Sequence, residues 1–204
     1  MVSKRGIFMK QRKPDFPINQ LILNRWSPRA MSGQPITQSE LMTVFEAARW
    51  APSSYNNQSW RFIYVHRCTP EWQKLFDLLV EFNQNWCKNA AVLVVIISKD
   101  TFDYNNKPSR THSFDTGAAW ENMCLQASSM NLVIHGLEGF DYDRAKNQLG
   151  IPDGFTVEAM CAIGRHGKLE DLPKDLQERE EPSDRRPISE FVFYGGFNNK
   201  IKLA

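Results

Sequence analysis

The 204 residues are 42% hydrophobic and 12% aromatic, enough to bury one sizeable core, and 25 Lys+Arg against 23 Asp+Glu leave a net charge of only +2. That balance gives nucleic acid no electrostatic footprint and favours a small ligand. The longest apolar run, residues 90–97, is far too short to span a bilayer, and the scattered Cys68, Cys87, Cys124 and Cys161 lack zinc-site spacing, which predicts free buried thiols in a cytoplasmic protein without a metal.

The chain opens on a basic, acid-free arm, residues 1–14, carrying Lys4, Arg5, Lys10, Arg12 and Lys13. It reads as a transit peptide, a contact for an anionic surface, or a terminus that clasps a partner. A single domain is expected over residues 15–194, with a tail at 195–204. Residues 15–24 predict a short helix that presents Arg25-Trp26-Ser27-Pro28-Arg29. Two guanidiniums and a hydroxyl in five residues suit a phosphate, because Arg pairs bidentately with its oxygens. The same pattern also reads as an ordinary solvated helix end.

Thr37-Gln38-Ser39-Glu40 is a capping box, and Leu41, Val44, Phe45 and Ala48 follow at the spacing of one buried helix face. Pro52 cannot continue that helix. A polar loop with Ser53, Ser54, Asn56, Asn57 and Gln58 leads to Trp60 and a strand over residues 61–66. By composition this is a helix-to-strand turn. By order, A-P-S-S-x-N-x-Q-x-W resembles the signature of the nitroreductase family of FMN-dependent oxidoreductases, with Ser59 where the family usually has Pro.

Beyond this hub, residues 71–82 predict a helix with Trp72, Leu75, Phe76, Leu79 and Phe82 on one stripe, punctuated by Asn83-Gln84-Asn85. Residues 90–98 read as a strand covered on both faces. Residues 100–111 predict a mobile surface segment, and His112 reads as a solvated loop residue rather than an acid. Residues 114–130 carry Gly117-Ala118-Ala119 and few charges, a helix apolar nearly all round that suits either the core or a subunit interface. Residues 132–141 are a strand running into a turn, with Asp141 placed to cap a helix over 142–149. His135 and Glu138 lack further ligands for a metal. Residues 157–164 form another strand, residues 168–186 a solvated extended connection, and residues 189–194 a final strand.

The resemblance extends to R-x-S-x-R at 25–29, to H-G-L-E-G-F-D at 135–141, whose family form is P-x-E-G-F-D with Pro replaced here by Gly136, and to R-R-P-I at 185–188. It implies an α+β nitroreductase-like fold, a mainly antiparallel sheet flanked by helices, in an intertwined homodimer with FMN at the interface. Arg25, Trp26 and Ser27 would meet the phosphate and ribityl chain, and Arg29 the N1/C2 edge of the isoalloxazine. The backbone of Glu138 and Gly139 would face N5, and Asn83 or Asn85 would add a contact. Arg185 would meet the phosphate, Arg186 standing by because the family's frequent Lys is Ser183 here. Pro52, Ser53, Ser54, Asn56 and Gln58 would reach the flavin held mainly by the other subunit. The implied activity is ping-pong hydride transfer from NADH or NADPH through N5 to a nitro, quinone or similar small acceptor, with no catalytic side chain. Dehalogenation, flavin fragmentation and non-catalytic flavin binding are the alternatives the same resemblance allows.

Overall fold

The structure, a computed structural model, describes residues 12–201. They form two compact units, residues 27–180 and the described parts of 1–26 with 181–204. Most of the basic arm and the last three residues of the tail therefore lie outside the described residues.

The larger unit is built on a four-stranded antiparallel sheet of order β1-β2-β4-β3, with β1 Trp60–His66, β2 Val92–Lys99, β3 Leu132–Leu137 and β4 Phe155–Arg165. β2 is apolar from Val92 to Ile97 because both its faces are covered there. Leu93, Val95 and Ile97 enter one core cluster, while Val92, Val94 and Ile96 enter the other. This alternation is the period of two of an extended chain.

On one face, α3 Trp72–Phe76, α4 Glu81–Cys87, α6 Tyr142–Gln148 and α7 Lys174–Gln177 bring Leu75, Trp86, Cys87, Ala145 and Leu176 against the sheet. On the other, α2 Gln38–Arg49 and α5 His112–Ser129 pack together through Leu41, Val44 and Ala48 against Ala119, Met123, Cys124 and Ala127. The capping box forms as expected: Thr37 Oγ1 accepts from the Glu40 N–H at 3.1 Å, and the Glu40 carboxylate accepts from the Thr37 N–H at 2.8 Å. Asp141 likewise caps α6 by accepting from the Arg144 N–H at 2.9 Å.

The expected helix over residues 71–82 is broken, and the Asn83-Gln84-Asn85 punctuation lies inside α4. The cause is a competing partner. The Val80 N–H donates to Gly139 O at 3.1 Å, the Asp141 N–H to Leu78 O at 2.9 Å, and Leu79 bridges Phe140, so the chain leaves the helix to pair with the turn after β3. The connection over 168–186 is also not fully extended, for Leu172 and Leu176 are buried about a short turn and α7. Of the thiols, Cys68 departs from expectation by being exposed; Cys87, Cys124 and Cys161 are buried and free.

A short segment after Arg29 extends the sheet beyond β4. The Gly167 N–H donates to Ala30 O at 2.8 Å and the Ser32 N–H to Arg165 O at 3.0 Å, with Met31 fully buried between them. A Cβ on Gly167 would stand 2.6 Å from the Met31 carbonyl carbon, so glycine is what lets the two backbones approach.

In the smaller unit, α1 spans Gln20–Asn24, shorter than expected. Pro17 has no N–H to give, and Asn19 caps the start by accepting from the Leu21 N–H at 2.8 Å. The Asp15 carboxylate accepts from the Ile188 N–H at 2.8 Å, tying the two parts of this unit together. No strand forms over 189–194: Ile188–Glu190 is a single 3-10 turn, and among the described residues Phe193 makes an isolated bridge to Lys200. With Phe191 and Tyr194 exposed, no apolar face is buried here to reward a strand.

Candidate functional site

Three groups of residues singled out from sequence are each brought together locally. The first lies in the smaller unit. Arg25 caps the end of α1, and Arg12 Nη1 donates to Leu23 O at 3.0 Å and Arg25 O at 2.7 Å, carbonyls a helix end leaves without partners. Burial lowers the Arg12 pKa, and the positive charges of Arg185 and Arg25 lower it further, with Asp184 opposing. Arg25 and Arg185, from distant parts of the sequence, thus share Arg12 as a neighbour. Arg185 is held by Ser183, whose Oγ accepts from Nη1 at 3.0 Å. Arg186 is exposed and Trp26 half-buried. A cavity of about 500 Å³ opens beside Arg12, Arg185 and Arg186.

The second group runs through the larger unit as a continuous series. The Arg29 and Ala30 N–H groups both donate to the Glu180 carboxylate, at 2.6 and 2.7 Å. The neighbouring Pro28 O and His135 Nδ1 are 3.2 Å apart, and the His135 ring lies 4.7 Å from that of Trp86. Trp86 Nε1 donates to Asn83 Oδ1 at 3.2 Å, and Asn83 Nδ2 donates to Gly139 O at 2.9 Å. Burial, then the Arg29 charge, lower the His135 pKa to about 4, against hydrogen bonds to Pro28 and Ser27 that raise it. His135 is therefore neutral near neutrality, holding the Ser27–Arg29 segment instead of serving as an acid. Arg29 Nε is buried with no partner of its own. Asn83 is buried against the Gly139 turn, whereas Asn85 is exposed on α4. Gly139 cannot carry a side chain cheaply, since its Cβ would stand 2.7 Å from Asn83 Nδ2.

Glu138 is exposed and lines a groove of about 370 Å³ with Gly136, Trp120, Thr116, Ser113 and Glu158. Burial, then the Glu138 and Glu158 carboxylates, raise the Tyr142 phenol above its ordinary range. His112 is not the solvated loop residue expected. It begins α5, half-buried, with Nδ1 2.7 Å from the Ser98 hydroxyl, which donates to Glu158 at 2.5 Å.

The third group is the hub. Ser54–Asn56 form a 3-10 turn, and Tyr55, Asn56 and Gln58 adopt φ of 52, 54 and 51°, a backbone that side chains resist. Such strain persists only where surroundings fix it. Ser53 Oγ accepts from the Gln58 N–H at 3.1 Å, and the Ser54 N–H donates to the buried Asp115 of α5 at 3.0 Å. Asn57 donates to Ser59 Oγ at 3.1 Å and to Thr101 O at 3.2 Å, and accepts from the Asp103 N–H at 2.9 Å. It thereby closes the 101–108 loop, which is further tied by the Thr101–Pro108 bridge. Pro52, Asn56 and Gln58 are exposed. Replacing Asp115 by Ala removes the acceptor that fixes the hub and should cost about 1–2 kcal/mol in urea unfolding. A variant as stable as the wild type would mean the turn holds itself.

Arg12, Asn57, Trp86 and Asp115 are the residues that sequence reasoning missed as site builders. Asn57 meets Thr101 and Asp103, Asp115 meets Ser54 and Trp86 meets His135 across long stretches of chain, and Arg12 is tied to Arg185, so no spacing reveals them. The profile of the Nitroreductase family matches residues 22–165.

The chain belongs to the nitroreductase family.

A solved structure described as an oxidoreductase containing FMN is 44% identical and superposes with a TM-score of 0.89 over 95% of this chain and 100% of its own. A provisionally named NADH dehydrogenase/NAD(P)H nitroreductase of Archaeoglobus fulgidus is 27% identical over 170 residues, 81% of this chain and 91% of its own. A nitroreductase family protein of Streptococcus pneumoniae shares the fold at 19% identity, with a TM-score of 0.68 over 85% of this chain and 97% of its own. The antiparallel sheet flanked by helices is the nitroreductase fold.

This family member's departures from the family pattern each have a local partner. Ser59 receives the Asn57 amide, and Ser183 orients Arg185. Gly136 leaves room for Trp120, whose ring a Cβ would meet at 3.1 Å.

Proposed function

We propose that this nitroreductase-family protein is an FMN-dependent oxidoreductase that moves a hydride from NADH or NADPH to a nitro, quinone or similar small acceptor, the two substrates alternating at one site. The observation that carries this reading is the meeting of Arg25 and Arg185 around Arg12 in one unit, a cationic group suited to a terminal phosphate. The buried, partnerless Arg29 Nε also fits a bound flavin.

When bound, FMN supplies the hydride acceptor and donor. The residues hold and tune it. Arg25 and Arg185 neutralise the phosphate. Arg29, kept beside neutral His135, would supply positive charge to the N1/C2 edge and so favour the reduced, anionic flavin. Asn83 holds the Gly139 turn through its bond to Gly139 O, and the backbone N–H groups of Glu138 and Gly139 would serve N5. The hub is tied to α5 on one face of the sheet, whereas Asn83 and Trp86 belong to α4 on the other. That separation supports a homodimer in which Pro52, Ser53, Ser54 and Asn56 serve the other subunit's cofactor. Gly117 and Phe114 lie open on α5, as a subunit contact needs.

Anaerobic NADH or NADPH is expected to bleach the flavin absorbance of the purified protein within seconds, and a quinone or nitroaromatic to restore it. A protein that holds FMN but is bleached by neither nucleotide would be a flavin binder, and the reductase reading would fail.

A further inference from the structure

We propose that Arg12, from the N-terminal arm, is a third phosphate-recognising cation of this chain, acting with Arg25 and Arg185 to select the phosphorylated flavin over riboflavin. This rests on the FMN reading above. Arg12 Nη1 donates to the carbonyls of Leu23 and Arg25, at 3.0 and 2.7 Å, which fixes the plane of its guanidinium. Its Nε is buried and without a partner. A buried donor left unmade is costly and calls for an acceptor.

The charges point the same way. The cavity beside Arg12 is lined by Lys13, Arg185 and Arg186 as well, against the carboxylates of Asp15 and Asp184. Asp15 is already engaged by the Ile188 N–H at 2.8 Å. Four cations and two carboxylates leave an excess of positive charge, and like charges held together are stabilised by a ligand with several anionic oxygens. A purely structural clip would need the Nη1 bonds but neither the unpaired Nε nor the two neighbouring guanidiniums.

The test compares FMN and riboflavin dissociation constants, by flavin fluorescence, for flavin-stripped wild type, Arg12→Gln and Arg12→Lys. Wild type should prefer FMN. Arg12→Gln should weaken FMN by about tenfold to a hundredfold while leaving riboflavin within about twofold, and Arg12→Lys should keep part of the preference. Equal weakening of both flavins in Arg12→Gln, or an unchanged ratio, would overturn the assignment of Arg12 and leave the cofactor reading intact. Should Arg12→Gln not fold, the ratio in Arg12→Lys decides, since a lysine cannot make the fork and must lose some selectivity. A wild type that binds neither flavin would overturn both.

Discussion

Gly167→Ala is expected to lower the stability of the folded chain by about 3 kcal/mol, the upper end for overpacking, because the added methyl meets backbone instead of a yielding side chain. It would lie 2.6 Å from the Met31 carbonyl carbon, 2.7 Å from its oxygen and 3.0 Å from its nitrogen. Met31 cannot retreat, since it is buried and its Sδ is already 3.1 Å from where a Cβ on Gly164 would stand. The neighbouring bonds, Gly167 N–H to Ala30 O and Ser32 N–H to Arg165 O, would have to lengthen together. Urea unfolding of the variant should show an earlier midpoint at unchanged slope. Because the displaced segment begins at Arg29, cofactor affinity should fall with it. A midpoint shift worth less than about 1 kcal/mol would mean the segment moves freely and does not fix Arg29.

Acidification should destabilise the protein through His135. Burial and the Arg29 charge take its imidazole from 6.5 to about 4, so between those values the unfolded chain binds the proton more readily than the folded one. The contribution is fully present above pH 6.5 and is lost as pH falls toward 4. It amounts to about 2–3 kcal/mol, discounted for the part of the ring that water reaches. His135→Gln should flatten the pH dependence by that amount, measured as unfolding free energy at steps from neutrality downward. Identical pH profiles for variant and wild type would reject the assignment. Charging His135 also sets a second cation beside Arg29 and loosens the Trp86–Asn83–Gly139 series, so flavin should dissociate in the same window.

What was legible in the sequence was what short-range chemistry writes. The Thr37–Glu40 box, the stop at Pro52, the doubly covered β2 and the Asp141 cap each depend on residues within a few positions, and each forms. The hub motif and R-x-S-x-R carry the family resemblance within a few residues each. The rest depends on partners that no local pattern names. Asn57 finds Thr101 and Asp103, Ser54 finds Asp115, and Asn83 finds Gly139. The same long-range pairing breaks the helix expected over 71–82, because the Val80 N–H donates to Gly139 O instead of to a carbonyl one helical turn back. The final strand failed for the opposite reason: residues 189–194 have strand-forming side chains and no neighbouring strand.

The grouping of Arg12 and Arg25 with Arg185 has a bearing on biosynthesis. Translation delivers Arg185 160 residues after Arg25, so until then a nascent chain on the ribosome carries only a fragment of this cationic cluster. Its assembly must wait until the C-terminal segment has emerged. A premature stop between residue 180 and Arg185 would leave the sheet of residues 27–180 with its strands complete while removing one of the three guanidiniums.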